Sequence, residues 1–219
     1  MRWELDHIFF ATTEPSDAEA ALTKAGLSFS RRITHLGQGT SNACARYDGG
    51  FLEILYPTDL HELRSPTVAP LALDQRTRWR DTGACPFGLC FRPSALGATN
   101  DRAFPTWDYA APYLPEGVAI AIVTPRFEMR SPLIFLNTRR RTAAPKSAAD
   151  SGSYAMKRIV VQMPTSAAPL AAGVQWFVEN ELFAVLWGSS YALHLEWANG
   201  QAASTPLTAG SMSVPITMR

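Results

Sequence analysis

Two short runs of β-forming residues near the start of the chain each carry one ionisable side chain among large apolar ones. His7 lies in the run 5–11, and Glu53 lies in the run 51–56. Both runs are too short for a core helix, so we predict two strands. Imidazole and carboxylate are common ligands of divalent first-row metals. The pair therefore predicts a metal site, or else a hydrogen-bonded core histidine and a solvent-facing glutamate.

The residues between these runs predict the rest of a structural unit. An alanine-rich helix is expected over 16–25, and Gly26 is a helix stop. Strands are expected over 27–33 and 43–47, and the glycines of 48–50 predict a tight turn into the glutamate strand. The predicted order is strand, helix, strand, strand, strand.

A polar loop joins the second and third predicted strands. It places four hydrogen-bonding side chains close together, namely His35, Gln38, Thr40 and Asn42. These side chains either satisfy the backbone of a turn or form a polar rim that orients a carbonyl, carboxylate or hydroxyl substrate.

Three segments together resemble the vicinal oxygen chelate superfamily and, within it, the glyoxalase-like domain. They are Leu-Asp-His and the following apolar residues at 5–11, His-x-Gly-x-Gly-Thr-x-Asn at 35–42, and Gly-Gly-Phe-Leu-Glu-Ile-Leu at 49–55. The resemblance implies an α+β fold of repeated βαβββ units that form curved mixed sheets around a cleft. It further implies that His7 and Glu53 are metal ligands, that Glu53 alternatively acts as the catalytic base, and that the polar loop binds substrate.

The rest of the chain predicts further units of the same kind. We expect residues 1–60 to form the first unit, 85–140 an irregular second unit, and 155–200 a C-terminal βαββ unit packed on the same body. Residues 142–154 are expected to be an exposed linker because they are rich in alanine, proline and serine. In the C-terminal unit a short turn predicts a hairpin between 182–187 and 191–197.

Neither of the later units has a histidine at the position equivalent to His7. An alignment of apolar residues places Leu89 and Arg158 at the positions equivalent to His7. His194 in the last strand is either a further metal ligand or part of an outward polar stripe. The expected metal site is then a divalent zinc, nickel, manganese or iron ion held by His7, Glu53 and His194. Arg158 near the cleft would favour an anionic substrate.

Composition narrows the class of partner. A net charge of +1 over 219 residues provides no field suited to nucleic acid or to an anionic membrane, so the expected partner is a small molecule. Three cysteines without an export signal predict reduced thiols and a cytoplasmic protein. A homodimer is an open alternative to a monomer.

Two function classes follow from the sequence. The first is a metal-dependent lyase, isomerase or dioxygenase that acts on a small oxygen-bearing substrate. The second is a protein of the same fold that binds or sequesters a small molecule without chemistry. The apolar Leu89 at a position equivalent to His7 favours the second class.

Overall fold

The structure is a computed structural model. It describes residues 3–94, 104–137 and 155–198, together with the backbone of the short strands 207–209, 212–214 and 216–218. Its first part has the predicted order of elements: β1 (Trp3–Ala11), α1 (Pro15–Lys24), β2 (Phe29–His35), β3 (Thr40–Tyr47) and β4 (Gly50–Pro57). The predicted turn between β3 and β4 is confirmed, and Gly49 takes the positive φ of +91° that the turn requires.

A helical connection leads from this unit to a second set of strands. It contains α2 (Leu60–Leu63), a 3-10 turn at Ala69–Leu71, α3 (Leu73–Thr77) and α4 (Trp79–Thr82). The strands that follow are β5 (Phe87–Pro93), β6 (Trp107–Tyr109), β7 (Ile120–Ile122) and β8 (Leu133–Leu136). Residues 95–103, between β5 and β6, and the whole expected linker 142–154 lie outside the described residues.

Both sets of strands belong to one eight-stranded mixed sheet, in the order β2-β3-β4-β1-β5-β8-β7-β6. β1 runs parallel to β4, β5 runs parallel to β8, and β1 and β5 are antiparallel where they meet. Each half therefore repeats the same internal strand order on either side of the β1–β5 junction. This arrangement confirms the predicted α+β class and the curved mixed sheets.

A second, four-stranded sheet contains the C-terminal segment. In chain order this segment contains β9 (Met156–Pro164), α5 (Ala172–Glu179), β10 (Ala184–Gly188), β11 (Ala192–Trp197), β12 (Leu207–Ala209), β13 (Met212–Val214) and β14 (Ile216–Met218). The strands β9, β10, β11 and β14 form the four-stranded sheet, and β12 pairs only with β13. The predicted hairpin is wrong, because the sheet order is β10-β9-β11-β14 and β9 separates the two strands. Residues 189–191 connect them across the end of β9, a width of roughly 10 Å that three extended residues can span.

The two sheets share an apolar core that α5 helps to form. Phe177 of α5 lies 4.7 Å from Phe91 of β5, measured between ring centroids, and Gly173 of α5 packs directly on Val123. Ile8 and Leu89, on the face of the first sheet turned toward this core, are fully buried. The opposite, concave face of the first sheet is therefore left to line a cleft. Among the described helices, each is too short or too polar to serve as a membrane span.

One buried cation fixes the helical connection to the second unit. The guanidinium of Arg76 in α3 is 0% exposed and donates to the backbone carbonyls of Leu71, Cys85, Glu128 and Ser131. Burial lowers the pKa of Arg76. The four carbonyl contacts offset the cost of burying the charge and hold the start of β5 against the segment that leads into β8.

Candidate active site

A cavity of about 290 Å³ opens on the concave face at the β1–β5 junction. Directly paired strand residues project from the same face, so His7 and Phe9 of β1 share this face with Glu53 of β4 and Cys90 of β5. One end of the cavity is polar and the other is apolar. The polar lining residues are His7, His35, Gln38, Glu53, Cys90, Tyr109, Tyr113 and Asn137, and the apolar ones include Phe9, Leu55, Leu71, Leu73, Leu114, Ile120, Ile122, Leu133 and Phe135.

His7 and Glu53 converge at the polar end, as the sequence predicts. Nε2 of His7 lies 3.9 Å from Oε2 of Glu53, and both side chains are largely buried. The His7 ring is stacked on Phe51 at 4.3 Å and meets the edge of Phe135 at 5.3 Å. These aromatic contacts limit the rotation of the imidazole and keep Nε2 directed toward the carboxylate.

A bulge in β1 adds Asp6 to the site. The pairing of β1 with β5 shifts between Leu5 and His7, and Asp6 is the extra residue. Oδ2 of Asp6 lies 2.8 Å from Nδ1 of His7, while Oδ1 accepts a hydrogen bond from Arg92. Asp6 thus occupies one ring nitrogen of His7 and leaves the other for the cavity.

Asn42 positions Glu53 from behind the cavity wall. Its Nδ2 donates to Oε1 of Glu53, and its Oδ1 accepts from the backbone N–H of Ile33 in β2. The thiol of Cys44 lies 3.9 Å from the same Oε1. Because Oε1 has these partners, Oε2 is the oxygen that faces His7. Asn42 is buried, so it supports the site from the strand and does not form its rim.

The polar loop forms a connected network beside this pair. Gln38 donates from Nε2 to Thr40 Oγ1 at 2.7 Å and accepts from the Tyr109 hydroxyl at 2.9 Å. Thr40 Oγ1 in turn lies 3.0 Å from Nδ1 of His35. The amide nitrogen of Gln38, which can only donate, also lies 3.5 Å from His35 Nδ1, so we assign the ring proton of His35 to Nε2. His35 and Gln38 line the cavity, whereas Thr40 is buried behind them.

Glycines at 37 and 39 hold the polar loop in place. Both have positive φ, +78° and +74°, and both backbone N–H groups donate to Oε2 of Glu62 in α2. On its other side Gly37 packs against Pro112, whose Cβ would lie 2.5 Å from a Cβ added at position 37. Pro112 lies in the connection between β6 and β7, so the polar loop contacts a segment of the second half of the sheet.

Tyr113 and Cys90 are among the cavity residues that the sequence analysis does not identify. Tyr113 packs on His35 with ring centroids 4.7 Å apart, but no local motif marks it. Cys90 is the Cα partner of His7 across β1 and β5. The apolar alignment that selects Leu89 is shifted by one residue, which exchanges the two faces of the strand. Because alternate residues of a strand share a face, Gly88 and Cys90 lie on one face of β5. The pairing of Phe9 with Gly88 and of His7 with Cys90 shows that this face lines the cavity.

The electrostatic environment differs between the two histidines. Burial would lower the pKa of His7, but Cys90, Asp6 and Glu53 outweigh it and place that pKa well above its ordinary value. Burial lowers the pKa of His35, and Glu53 only partly opposes this. Burial would raise the pKa of Asp6, yet its hydrogen bonds, that from His7 above all, lower it to about 2. Burial also raises the pKa of the Cys90 thiol. The surroundings therefore favour the protonated form of His7 and the neutral form of His35.

Two of the predicted site residues are not brought to this cavity. Arg158 in β9 and His194 in β11 belong to the second sheet, where Arg158 is exposed and lies 3.9 Å from Glu196. His194 pairs with Val160 and Thr217. The expectation that His194 completes the metal site and that Arg158 attracts an anion is thus not supported. That expectation came from aligning the first strands of the three units, which assumes that all three units line the same cleft. The C-terminal unit instead forms a separate sheet.

The donor atoms at the polar end suit a divalent metal. Ligands of one zinc ion, with bonds near 2.0–2.3 Å, lie roughly 3–4 Å apart, and the His7–Glu53 separation of 3.9 Å falls in that range. Asp6, His7 and Cys90 also each offer one donor atom, all within 4.8 Å of one another. Nitrogen, carboxylate oxygen and thiol sulfur are ligands that zinc accepts together.

Solved structures with related folds are similar over much or all of the chain. A hypothetical protein from Staphylococcus aureus has a TM-score of 0.54 at 9% identity, covering 100% of this chain and 99% of that one. Methylmalonyl-CoA epimerase from Streptomyces coelicolor, in complex with 2-nitronate-propionyl-CoA, has a TM-score of 0.39 at 18% identity, with 61% and 94% covered. The corresponding enzyme from Mycobacterium tuberculosis has a TM-score of 0.36 at 17% identity, with 61% and 85% covered.

No curated protein matches the sequence significantly. A family model described as the glyoxalase-like domain matches residues 5–177, which include both halves of the eight-stranded sheet and the start of the second sheet. The matched range contains His7, Glu53 and the polar loop on which the resemblance rests. The chain belongs to the glyoxalase-like domain family.

Proposed function

We propose that this protein is a metal-dependent lyase, isomerase or dioxygenase that acts on a small oxygen-bearing substrate in the cavity at the β1–β5 junction. The observation that supports this most is the 3.9 Å approach of His7 Nε2 to Glu53 Oε2 at the polar end of an otherwise apolar cavity. Two buried ionisable groups that face each other in a cleft, with supporting hydrogen bonds behind them, are typical of a working site.

The lining of the cavity indicates the chemistry of the substrate. None of the described residues that line it is lysine or arginine, and Glu53 is its one carboxylate among those residues. A volume of about 290 Å³ lies at the lower limit of ligand pockets. We infer a substrate with a compact apolar body and a single polar head that carries one or two oxygens. A phosphorylated or otherwise multiply charged molecule would find no charge partner here.

The polar side chains of the first unit have proposed tasks toward that head. A divalent ion of zinc, nickel, manganese or iron, held by His7 and Glu53, would act as the Lewis acid for the substrate oxygens. His35 would donate from Nε2 to a substrate oxygen, since its Nδ1 accepts from Thr40. Glu53 is either a ligand or, when not bound to metal, the base that accepts a proton. Gln38, Thr40 and Asn42 keep His35 and Glu53 in position.

A second candidate function is binding without chemistry. On the half of the cavity formed by β5 and β8, the positions opposite His7 and Glu53 are occupied by Cys90, Leu133 and Phe135, which are apolar or weakly polar. A site with so few charged groups can retain a hydrophobic molecule through burial alone. This candidate predicts that ligand affinity is independent of added metal.

Metal titration separates the two candidates. Protein purified without chelators is titrated with zinc, nickel, manganese and, under anaerobic conditions, ferrous iron, and binding is followed by calorimetry. We expect one saturable site, with affinity reduced more than about 100-fold in His7→Ala and in Glu53→Gln. His61→Ala, which removes an exposed histidine of α2, and His194→Ala serve as controls and should bind metal like the wild type. Wild-type affinity in both site variants would leave binding without metal as the better function.

A ligand panel then tests the substrate class. Molecules with two adjacent oxygens on an apolar body, namely a 2-oxo acid, a 2-hydroxy acid and a catechol, are compared with analogues that lack one oxygen. We expect thermal stabilisation only by the paired-oxygen compounds and only with metal present. Equal stabilisation by the analogues without metal would support the non-catalytic function.

Location and assembly are further proposals. The three cysteines are free and buried, which is compatible with the reducing cytoplasm that we propose. Leu186 and Trp187 are exposed on β10, an edge strand of the second sheet. Light scattering with a Trp187→Lys control would show whether a homodimer forms through this edge.

A further inference from the structure

We infer that Tyr109 of β6 is a positioning residue: its hydroxyl fixes the amide of Gln38, and that amide fixes His35 as a hydrogen-bond donor toward the cavity. The inference rests on the proposed function only for the task that it gives to His35. It assigns to β6, an edge strand of the eight-stranded sheet, a part in preparing a side chain of the first unit.

The first step is the hydrogen bond of the Tyr109 hydroxyl. Tyr109 is 2% exposed, and its hydroxyl donates to Oε1 of Gln38 at 2.9 Å. Within the described part of the chain this is the one hydrogen bond of that hydroxyl. A buried donor that loses its acceptor is costly. Tyr109 therefore favours the orientation in which Gln38 turns its oxygen toward β6.

The second step is what the other end of the amide faces. With Oε1 on Tyr109, Nε2 of Gln38 lies 2.7 Å from Thr40 Oγ1 and 3.5 Å from Nδ1 of His35. An amide nitrogen only donates, so its neighbour Nδ1 is favoured without a proton, and the ring proton is on Nε2. The reversed amide would place Oε1 beside Thr40 and would favour a proton on Nδ1 instead. The tautomer of His35 is therefore coupled to the orientation of Gln38.

The third step is the use of this tautomer in the cavity. The His35 ring packs on Tyr113, and its Nδ1 faces Thr40. Because His35 lines the cavity, Nε2 is the ring nitrogen that is left for a bound molecule. Burial lowers the pKa of His35 and so favours the neutral ring, which carries a single proton. His35 then donates from Nε2 and cannot accept there. A carbonyl or carboxylate oxygen, which only accepts, is the matching partner.

Nitrogen-15 NMR of the histidine rings in metal-free protein reads the tautomer directly, and a His35→Gln variant identifies the signals of this ring. In the wild type we expect the Nε2–H form to exceed the Nδ1–H form by more than about tenfold, because the second form leaves a buried hydroxyl unpaired. In Tyr109→Phe the aromatic ring stays, but the preference is lost. The ratio of the two forms should therefore fall at least about fivefold.

Tyr191→Phe is the matched control for this measurement. It also removes a buried tyrosine hydroxyl, which donates to the backbone carbonyls of Gly83 and Arg130 and not to the polar loop. The tautomer ratio of His35 should stay at its wild-type value in this variant. A fall of the ratio in both variants would show a general effect of losing a buried hydroxyl and would overturn the inference.

Binding measurements separate positioning from a general disturbance of the site. Zinc affinity of Tyr109→Phe should stay within about threefold of the wild type, since the hydroxyl binds Gln38 and neither of the proposed metal ligands. Affinity for the 2-oxo acid of the ligand panel should fall about three- to tenfold, as for one misplaced hydrogen-bond donor. An equal loss of zinc and 2-oxo acid affinity would contradict a positioning role.

The possible failures are distinct. A wild-type His35 with its proton on Nδ1, or a ratio unchanged in Tyr109→Phe, would overturn the inference and leave the metal site of the proposed function intact. The expected tautomers in a protein that binds no metal would uphold the effect of Tyr109 on the ring and overturn the proposed function. Neutron diffraction from wild-type crystals locates the protons of Tyr109, Gln38 and His35, so it decides the matter even if Tyr109→Phe does not fold. An amide nitrogen of Gln38 that faces Tyr109 would refute the inference.

Discussion

The carboxylate of Asp6 lies 2.8 Å from Nδ1 of its neighbour His7, so a bulge in the central strand places a residue and its orienting partner side by side in sequence. Such a carboxylate fixes the proton on Nδ1, raises the basicity of the ring and directs Nε2 toward a metal or substrate. Arg92 and Asn137 bind the same carboxylate and keep it in place.

Replacing Asp6 should therefore weaken metal binding although Asp6 does not line the cavity. In Asp6→Asn the amide can still reach Nδ1, but the negative charge that supports His7 is lost. We expect zinc affinity to fall about 10- to 100-fold by calorimetry. Asp17→Asn on the exposed side of α1 is the matched control. Unchanged affinity in Asp6→Asn would show that His7 does not need this partner.

Zinc affinity should rise with pH. The pKa of His7 is raised well above its ordinary value, which favours the protonated ring when no metal is bound. A metal binds only the neutral imidazole and must displace this proton. Each displaced proton makes apparent affinity increase roughly tenfold per pH unit until the pH passes the pKa of His7. Calorimetry between roughly pH 6 and pH 8, in buffers of different ionisation enthalpy, counts the protons. Affinity independent of pH would contradict this assignment.

Arg76 should be one of the most important residues for stability. Arg76→Met keeps an apolar side chain but removes all the donors to four backbone carbonyls, three of them in buried hydrogen bonds. We expect the free energy of unfolding to fall by about 3–5 kcal/mol in urea titrations, because each unpaired buried acceptor is costly. Arg80→Met is the control, since Arg80 forms an exposed ion pair with Glu14 and its loss should cost less than about 1 kcal/mol. Equal losses in the two variants would refute the argument.

Gly37 should tolerate no side chain. Gly37→Ala adds a Cβ that would meet Pro112 at 2.5 Å, at a backbone φ of +78°. Gly117 has nearly the same φ, +77°, and a Cβ added there would have no neighbour within 4 Å. Gly117→Ala therefore measures only the cost of a positive φ in a residue that has a Cβ. We expect Gly117→Ala to cost about 1–2 kcal/mol and Gly37→Ala to cost more and to weaken ligand binding. Equal costs would mean that Pro112 moves aside freely.

The first unit could be predicted from sequence because its signals are local. A helix stop at Gly26 and a two-residue turn at Asp48 and Gly49 fix the order and pairing of β1 to β4. Alternation then places His7 and Glu53 on one face. The division of the chain into units 1–60, 85–140 and 155–200 was inferred from the same patterns and stays a proposal.

The parts that sequence could not provide depend on distant pairing. β9 lies between β10 and β11, although a short connection joins the latter two directly. Tyr113 reaches His35 from the other half of the sheet. The bulge at Asp6 leaves no mark in the composition of β1. Each of these features depends on a contact between residues that are far apart in the sequence, and local sequence patterns do not predict such contacts.

The site draws its two ends from different stretches of chain. Its polar end comes mainly from residues 7–53, and its apolar end mainly from residues 109–136. Under the proposed function, recognition of the polar head of the substrate and recognition of its apolar body can therefore change independently. A substitution within residues 109–136 can make room for a substrate with a longer or branched apolar body and leave the polar side chains of residues 7–53 unchanged. Relatives that share one reaction can therefore act on different substrates.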